Sequence, residues 1–379
     1  MIRPSELGIL ADDLTGACDA ASAFAACCGP VRVHIRLPRS RPFTRQRILE
    51  VVNTQSRRLP PVESRRVVMK AARLFRGATV VYKKIDSVLR GPAGAELEGL
   101  ARVLPHHHIF VIPAVPEMGK TTRGGCLFEH GIPAHKTDYG KDPLSPLETN
   151  DIRRLIGRTG SLEFAVADVE TSEDLDRAVT DALAKGKVIL AGSVGLADSL
   201  ARRMERGAWT ASAAGNVRRT LVLSGSHYPT SLEQLKHAAI AFGEVILTIG
   251  RDTSVSDVAH KCHGRDVVFL RIETDTFMSG RRGRLALTSL FRKIRHVIRS
   301  CDPQALGIIG GETAFQILRL MGARRLEVLG KKQQGMPYGI ISDGELAGRP
   351  FATKGGSVGT HDACVQMVNC LRQNRTGES

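Results

Sequence analysis

Aromatic residues are scarce in this sequence, at 4% of 379 residues, with a single tryptophan. Single-stranded nucleic acids bind by stacking on aromatic side chains, so this scarcity argues against a single-strand-binding protein. Zinc-finger and RNP signatures are missing as well. The formal net charge is nevertheless +16. A basic nucleic-acid-binding protein therefore stays as the alternative class, beside an enzyme for anionic substrates or a protein with a merely basic surface.

Long apolar runs are also missing. No stretch approaches the roughly 20 apolar residues needed to cross a bilayer, and the N-terminus lacks a secretory signal. The eight cysteines form no Cys-x-x-Cys unit, so we interpret them as small buried residues in a reducing compartment. The three histidines at 106–108 indicate a turn after Pro105 rather than a metal site. We expect a cytoplasmic protein without membrane association and without a His-bound metal.

One glycine is missing where a phosphate loop would need it. The stretch "IFVIPAVPEMGKTTRGG" (109–125) contains Ala114-x-x-x-x-Gly119-Lys120-Thr121, but glycine is required at the first position so that the backbone can curl around phosphates. Pro116 removes an N–H donor, and the continuation Arg-Gly-Gly is poor helix material. We therefore predict that Lys120 and Thr122 belong to a loop that lines a binding site without wrapping a triphosphate.

Short apolar runs alternate with helical patterns from end to end, such as "LGILA" before "GACDAASAFAA" and "KVILAGS" before "GLADSLARRM". This alternation predicts parallel sheets covered by helices. The stretch "GAWTASAAGN" (207–216) breaks the rhythm and is typical of a linker. We predict an α/β fold of two domains, 1–206 and 217–379, each a mostly parallel sheet flanked by helices, with the active site in the cleft between them.

In open parallel sheets, ligands bind beyond the carboxyl ends of the strands. Asp12 and Asp13 follow the first predicted strand. One carboxylate would suffice as a helix cap, an interpretation that fits Asp13, and two neighbouring carboxylates repel each other. We therefore expect at least one of the two to be functional. The loop after "ATVVY" can hold an anion and bind hydroxyls, although a solvated basic turn remains the alternative. The residues predicted to bind substrate are Arg57, Lys84, Ser87, Arg90, Lys120 and Thr122.

Glycine-rich turns follow three predicted strands of the second domain. Such turns allow close backbone approach, and the helix N-termini behind them favour phosphate. Three of them in one domain indicate a nucleotide site. The predicted contacts are Ser224, Ser226, Gly310, Gly311, Glu312, Thr313, Gly355 and Gly356.

Together the two halves predict a kinase that transfers phosphate from ATP, with Mg²⁺, to an anionic polyol. Asp12 is the first candidate for the base, followed by Asp13 and Asp86, and the metal ligands stay open. A serine hydrolase built on Ser226 and His227 is disfavoured, because adjacent residues rarely face one another and no G-x-S-x-G elbow occurs.

The blocks "ADDLTGACDAA", "YKKIDSVLRGPAGAEL", "PAVPEMGKTTRGG", "LSGS", "GGETA" and "FATKGGSVGTHDA" resemble, in order, those of the four-carbon acid sugar kinases. That family, formerly a domain of unknown function, phosphorylates threonate, erythronate or 3-oxo-tetronate with ATP. The resemblance implies an N-terminal sugar-acid domain, a C-terminal nucleotide domain and transfer to the terminal 4-hydroxyl; a homo-oligomer stays open. It assigns to the substrate site Asp12, Asp13, Arg57, Lys84, Asp86, Ser87, Arg90 and Thr122. It assigns to the ATP site Ser226, Gly310 to Thr313, and Gly356.

Two positions depart from the family pattern. The last glycine loop reads Lys-Gly-Gly-Ser-Val-Gly from Lys354 to Gly359, where the family commonly has Lys-Ser-Gly-x-Phe-Gly. Pro92 stands where the family often has Asn. The first departure bears on nucleotide contacts and the second on substrate preference.

Overall fold

The computed structural model describes residues 1–38, 48–142, 145–157, 162–206, 217–273 and 280–373, the side chains of 280–286 excepted. The predicted linker at 207–216 lies outside the described residues. The chain divides into two compact units, Met1–Ala208 and Trp209–Ser379. Each unit is built on a sheet of mostly or entirely parallel strands flanked by helices, which confirms the predicted α/β class.

The first unit alternates strands and helices as the apolar pattern predicts. Its strands are β1 (Leu7–Ala11), β2 (Val31–His34), β3 (Glu50–Asn53), β4 (Val80–Lys84), β5 (His108–Ile112), β6 (Lys120–Arg123), β7 (Cys126–Glu129), β8 (Ile132–Pro133), β9 (Ala165–Val166) and β10 (Val188–Gly192). Its helices are α1 (Leu14–Cys28), α2 (Pro61–Ala72), α3 (Ala93–Val103), α4 (Ile152–Ile156), α5 (Ser172–Leu183) and α6 (Val194–Ala201).

The main sheet of this unit has the order β2-β3-β1-β4-β10-β5-β9, and every pairing in it is parallel. Strands β1, β4 and β10 are buried at every position, as expected for a parallel sheet covered on both faces. The chain leaves β1 toward β2 on one side and leaves β4 toward β5 on the other. The carboxyl ends of β1 and β4 therefore flank the point where the strand order reverses, which is where α/β sheets bind ligands.

The segment predicted as a loop at Lys120 and Thr122 is instead a strand, so that expectation was wrong. Strands β6, β7 and β8 form a separate antiparallel sheet. Arg123 pairs with Cys126, and the two residues between them, Gly124 (φ 58°) and Gly125 (φ 70°), both have positive φ. A two-residue hairpin turn requires this conformation, and glycine adopts it without steric cost. The Gly-Gly pair that made a helix unfavourable was the signal for a hairpin.

The second unit contains β11 (Thr220–Ser224), β12 (Ile246–Ile249), β13 (Val267–Ile272), β14 (Ala305–Ile309), β15 (Arg325–Gln333), β16 (Met336–Ile341) and β17 (Pro350–Lys354). Its helices are α7 (Pro229–Ala241), α8 (Val255–Cys262), α9 (Gly280–Cys301), α10 (Gly311–Leu320) and α11 (Ala363–Gln373). The sheet order is β12-β13-β11-β14-β17-β16-β15, parallel from β12 to β17 and antiparallel beyond.

The strand order of the second unit reverses between β11 and β14, because the chain leaves β11 toward β12 and leaves β14 toward β17. The three predicted glycine-rich turns thus follow three neighbouring strands, β11, β14 and β17. In the part of the chain that the structure describes, no helix is long and apolar enough to cross a membrane. The cysteines were only partly interpreted correctly: Cys18, Cys262 and Cys364 are buried, whereas the other five are half-buried.

Candidate active site

Arg57 binds the two aspartates that follow β1. Its Nε and Nη2 atoms donate to the two carboxylate oxygens of Asp12, each at 2.8 Å, and its Nη1 atom donates to Asp13 Oδ2 at 2.7 Å. The backbone N–H groups of Ser56 and Arg57 also donate to the carbonyl oxygen of Asp12, at 2.8 and 3.1 Å. The ends of β1 and β3 are therefore joined by charged and backbone hydrogen bonds, and such bidentate pairs have a fixed geometry.

The two aspartates differ in their surroundings. Asp13 is the N-cap of α1 and accepts a hydrogen bond from Gly16 N at 2.8 Å, which confirms the capping interpretation. Burial by itself would raise the pKa of Asp12, but the charges of Arg57 and Lys83 outweigh it and hold that pKa below its usual value. The side chain of Asp13 is 15% exposed and that of Asp12 only 3%, so Asp13 is the more accessible carboxylate.

Lys83 and Lys84 are adjacent on β4 and therefore point to opposite faces of the sheet. Lys83 forms a buried ion pair with Glu96 of α3 at 2.8 Å, and Ser64 donates a second hydrogen bond to the same carboxylate. Lys84 lies on the α1 side, where a Cβ built on Gly16 would be 3.2 Å from its Nζ atom and 2.6 Å from Asp13 Oδ1. Within the described residues Lys84 has no ion pair; its Nζ donates to the carbonyl oxygen of Ile85 at 2.9 Å.

The loop after β4 is organised around Asp86. Arg90 donates to it through Nη2 at 2.8 Å and Nε at 3.1 Å, and through Nη1 to Asp142 at 3.1 Å. Asp86 also lies 4.0 Å from Arg57 Nη1. Burial would raise the pKa of Asp86, but the charges of Arg90 and Arg57 hold it well below the usual range. The aspartates of both loops therefore form one network through the two arginines.

Backbone strain is found in both arginine loops. Gln55 (φ 49°) and Leu89 (φ 62°) adopt the left-handed conformation that residues with a side chain rarely take. Gln55 is two residues before Arg57, and Leu89 directly precedes Arg90. Such strain persists only where the surrounding contacts enforce it, and it is concentrated at functional sites.

Lys120 lies at the start of β6 and binds two neutral groups. Its Nζ donates to Ser87 Oγ at 3.0 Å and to the Tyr139 hydroxyl at 2.9 Å, and it lies 5.2 Å from the centre of the Tyr139 ring. Arg90 lies 5.5 Å from the same ring. Burial lowers the pKa of Lys120. The hairpin therefore places beside the Asp86 loop a second lysine that has no ion pair among the described residues.

The structure brings together most of the predicted residues of the first unit. Thr122 differs from the others: it is buried, its hydroxyl donates to Ala167 O at 2.9 Å and accepts from Val169 N at 2.9 Å, and these contacts do not favour substrate binding. Sequence reasoning missed Tyr139 and the role of Asp142. Both lie in a segment of short 3-10 turns (Ala134–Lys136 and Asp138–Lys141) that has no periodic pattern.

In the second unit, the turns after β11 and β14 are in close contact. Gly225 N donates to Ile309 O at 3.2 Å, and a Cβ built on Gly225 would lie 2.2 Å from Thr313 Oγ1. Gly310 N donates to Lys354 O at 2.9 Å, which connects the turn after β14 to the end of β17. A side chain at position 225 would collide with Thr313, so only glycine permits this close approach.

The turn after β17 is fastened to α7. The Ser231 hydroxyl donates to the carbonyl oxygen of Gly356, and its Oγ lies 2.9 Å from Ser226 Oγ. Gln234 donates to Gly359 O and Thr360 O at 2.9 and 2.8 Å. A Cβ on Gly356 would lie 2.2 Å from Ser226 Oγ. The three predicted turns therefore converge. Ser231 and Gln234 were missed because polar residues in the first two turns of a helix are too common to be a signal.

Lys354 ends β17 below this junction. It is fully buried, and in the described part of the chain its Nζ donates only to Gly355 O, at 2.9 Å. Burial lowers the pKa of Lys354 to about 8. Glu312, the acidic residue of the neighbouring turn, accepts from Gln316 at 2.7 Å. The junction thus combines glycine backbone, hydroxyl groups and one buried cation.

The described residues contain no group of three or more His, Cys, Asp or Glu side chains that could hold a metal ion. Mg²⁺ in kinases is commonly held by one or two carboxylates together with substrate phosphates. The carboxylates after β1 and β4 are bound to arginine, so the described residues offer no site that would hold Mg²⁺ with protein ligands alone.

Comparisons with known proteins agree with this geometry. Residues 7–189 match the family model of a sugar-binding N-terminal domain, and residues 221–364 match that of a nucleotide-binding C-terminal domain. The chain is 28% identical to a D-threonate kinase of Bordetella bronchiseptica, with 97% of this chain and 98% of the relative covered. It is 24% identical to a D-erythronate kinase of Heliobacterium modesticaldum, with 99% of each chain covered.

A solved structure of a Haemophilus influenzae protein, HI1011 of the DUF1537 family, has the same fold. The TM-score is 0.71 at 17% identity, covering 96% of this chain and 100% of that one. Two α/β units, each with polar side chains at the carboxyl ends of its strands, are the architecture of the class to which these relatives belong. Within that class, the chain belongs to the four-carbon acid sugar kinase family, and it is a sugar-acid kinase.

Proposed function

We propose that this kinase transfers the γ-phosphate of ATP to the terminal 4-hydroxyl of a four-carbon sugar acid: D-threonate, D-erythronate or 3-oxo-tetronate. In this proposal, residues 1–206 bind the acid and residues 217–379 bind the nucleotide. The observation that carries it concerns the cations of the first unit: its two site arginines are paired with aspartates, whereas two site lysines have no ion pair among the described residues.

The two arginines of the network are each bound by two aspartates: Arg57 by Asp12 and Asp13, and Arg90 by Asp86 and Asp142. The two lysines have no carboxylate partner among the described residues; Lys84 and Lys120 donate only to neutral oxygens. A buried ammonium without a counter-ion is costly, and an anionic ligand would lower that cost. Lys84 and Lys120 are therefore the cations that would bind the substrate carboxylate.

The hydroxyls of a sugar acid need hydrogen-bond acceptors as well as cations. Asp13 and Asp86 supply carboxylate oxygens at the ends of β1 and β4, and carboxylates accept but do not donate. The site thus combines fixed carboxylates with lysines that have no ion pair among the described residues. A small acid with several hydroxyls matches this combination better than a purely anionic or purely neutral ligand does. The two loops have strained backbones and several charged hydrogen bonds, which keep these groups in place before the substrate arrives.

The base would be one of the three aspartates Asp12, Asp13 and Asp86. Arg57 occupies both oxygens of Asp12, and Arg90 binds both oxygens of Asp86. The oxygens of Asp13 each accept one hydrogen bond, from Gly16 N and from Arg57 Nη1. Asp13 is however the most exposed of the three, which favours it as the group that accepts the proton of the attacking hydroxyl. Asp12 and Asp86 would then keep Arg57 and Arg90 in position.

The glycine junction of the second unit fits the phosphates of a nucleotide. Backbone N–H groups at the starts of helices and glycine turns bind phosphate oxygens, and side chains beyond glycine would fill that space. Ser226, Gly310 to Thr313, Gly355 and Gly356 would hold the phosphate chain. Mg²⁺, when bound to the nucleotide, would supply charge neutralisation at the transferred group.

The test is an ADP-release assay with a panel of D- and L-threonate, D- and L-erythronate and 3-oxo-tetronate, with and without Mg²⁺. We expect turnover of at least one acid, with the phosphate located on the C4 oxygen by ³¹P–¹H correlation. Lys84→Met is the matching test variant: turnover should slow because a cation proposed to bind the acid is lost, while the protein should stay folded. Turnover of none of the acids, or a phosphate at another position, would contradict the proposal.

A further inference from the structure

The Tyr139 hydroxyl is a hydrogen-bond partner of Lys120, and the direction of that bond is fixed by chemistry. Lys120 Nζ is 2.9 Å from the Tyr139 oxygen. An ammonium can only donate. The hydroxyl therefore accepts from Lys120, and it stays neutral because burial and the charge of Glu129 raise the pKa of Tyr139.

The hairpin brings the two charged residues to the same position. Lys120 of β6 and Glu129 of β7 are directly opposite in the antiparallel register, so their side chains leave the same face of the small sheet. They nevertheless form no ion pair in the described part of the chain; Lys120 donates to the Tyr139 hydroxyl instead. The charge of Glu129 acts on Lys120 without neutralising it by direct contact.

The ammonium is consequently held from two sides and left charged. Ser87 accepts from Lys120 at 3.0 Å on the side of the β4 loop, and Tyr139 accepts at 2.9 Å on the side of the 3-10 turns. The titratable groups that act on Lys120 are Asp86, Glu129 and Arg90, together with the hydroxyl of Tyr139. Two of its three N–H donors are used, which leaves one for a ligand.

We propose that Tyr139 is a positioning residue of the sugar-acid site, which fixes the Lys120 ammonium so that its remaining donor meets the anionic end of the substrate. This inference rests on the function proposed above and adds a residue to it. Tyr139 acts through Lys120 and does not touch the reacting atoms.

The first test is Tyr139→Phe, which keeps the ring beside Lys120 and Arg90 and removes only the hydroxyl. We expect the Kd for D-threonate or D-erythronate, measured by calorimetry, to rise roughly tenfold, the value of one hydrogen bond to a charged group. The kcat and the KM for ATP should change less than about twofold. Tyr338→Phe, in β16 of the other unit, is the matched control and should leave all constants unchanged.

The second test is a double-mutant cycle, which separates positioning from direct contact. In a Lys120→Met background, Tyr139→Phe should have less than about a twofold further effect on acid binding, because the residue through which it acts is gone. If the two losses multiply instead, Tyr139 binds the substrate independently and the inference is wrong.

A pH profile gives the third readout. Loss of the hydroxyl removes an acceptor from the charged form of Lys120, so its pKa should fall, and the alkaline limb of kcat/KM for the acid should move to lower pH in Tyr139→Phe. A purely structural role would leave that limb in place. If wild-type protein turns over no four-carbon acid, the proposed function fails and this inference with it. If wild type turns over an acid and Tyr139→Phe matches it in Kd and pH profile, only the inference fails.

Discussion

Lys83 and Lys354 lie at the carboxyl ends of parallel strands in the two units, and both are fully buried. Lys83 is bound by Glu96 at 2.8 Å, and Ser64 supports that carboxylate. Among the described residues, Lys354 donates only to the carbonyl oxygen of Gly355. Lys83 is thus a buried cation compensated by a carboxylate, whereas Lys354 is a buried cation with no counter-ion among the described residues.

The difference corresponds to the ligands proposed for the two units. A sugar acid must be distinguished by the position of one carboxylate and several hydroxyls, which requires charged groups of fixed geometry such as the Arg57 and Arg90 pairs. Phosphates are bound mainly by backbone N–H groups and by positive charge. A strongly perturbed lysine beneath a glycine turn is a candidate functional group on physical grounds, and the sequence analysis had not included Lys354 among its site residues.

The largest expected effect is an opposite change of stability at the two lysines. Lys83→Met leaves Glu96 buried without its partner and should lower the free energy of unfolding by about 3–5 kcal/mol. Lys354→Met removes an uncompensated charge; a pKa lowered from 10.5 to about 8 corresponds to a cost of about 3 kcal/mol, so this variant should be more stable at pH 7. Its KM for ATP should rise.

The pH dependence of the free energy of unfolding shows whether the Lys354 charge destabilises the fold. Because the folded-state pKa is below the unfolded one, the cost is fully present below pH 8 and declines as the pH rises toward 10.5. The stability gained by Lys354→Met should therefore shrink over that interval. Hydrogen exchange of peptides covering β4 and β17 assigns each change to its unit. If both variants lose stability at pH 7, Lys354 has a partner that compensates it and the comparison fails.

Arg57→Met tests whether the network of the first unit is held by charge. Asp12 and Asp13 would remain close together without their shared cation, and the free energy of unfolding should fall by about 3–5 kcal/mol in urea denaturation at pH 7. Arg57 helps to hold the pKa of Asp12 below its usual value of 3.8 in the wild type. Without Arg57 that pKa should be higher, so the stability deficit of the variant should shrink as the pH falls through the acid range toward and below 3.8.

The control for Arg57 is Arg65→Met, in the same unit. Arg65 pairs with Glu98 at 2.6 Å, but both side chains are partly exposed, at 25% and 21%. Such a pair contributes at most about 1 kcal/mol. Equal losses in the two variants would mean that the contacts of Arg57 with Asp12 and Asp13 are no more stabilising than a surface pair.

The sequence predicted which strand ends carry polar groups, but it did not predict how these groups are paired. The parallel-sheet rule was sufficient to bring Asp12, Arg57 and Asp86 to one edge, because strand ends follow from the alternation of apolar runs and helices. The partner of Lys83 could not be predicted, since Glu96 reaches it only through the packing of α3. Tyr139 was missed for a related reason: its position depends on 3-10 turns packed against the β6–β7 hairpin, and the sequence indicated only an irregular region there.

Lys84→Met addresses the recognition of the acid. The lost charge should raise the KM for the sugar acid roughly 10- to 150-fold, the equivalent of about 1.5–3 kcal/mol for a hydrogen bond to a charged group. The KM for ATP should stay near the wild-type value, and the melting temperature should not fall, because the buried ammonium that is removed has no ion pair among the described residues. Lys70→Met, an exposed lysine of α2, is the control. An unchanged KM for the acid would remove Lys84 from the proposed site.

The smallest expected effect is that of Gly356→Ala in the glycine junction. The added Cβ would lie 2.2 Å from Ser226 Oγ and 2.8 Å from Tyr228 Cδ2, so the turn must move away from α7, at a cost of about 1–3 kcal/mol. We expect the KM for ATP to rise about fivefold or more, with the KM for the acid unchanged. Gly250→Ala is the matched control, because its nearest atom is Glu273 Oε2 at 3.5 Å. A variant that folds normally and keeps the KM for ATP would show that this turn does not contact the nucleotide. Only the turns after β11 and β14 would then remain as proposed phosphate-binding turns of the second unit.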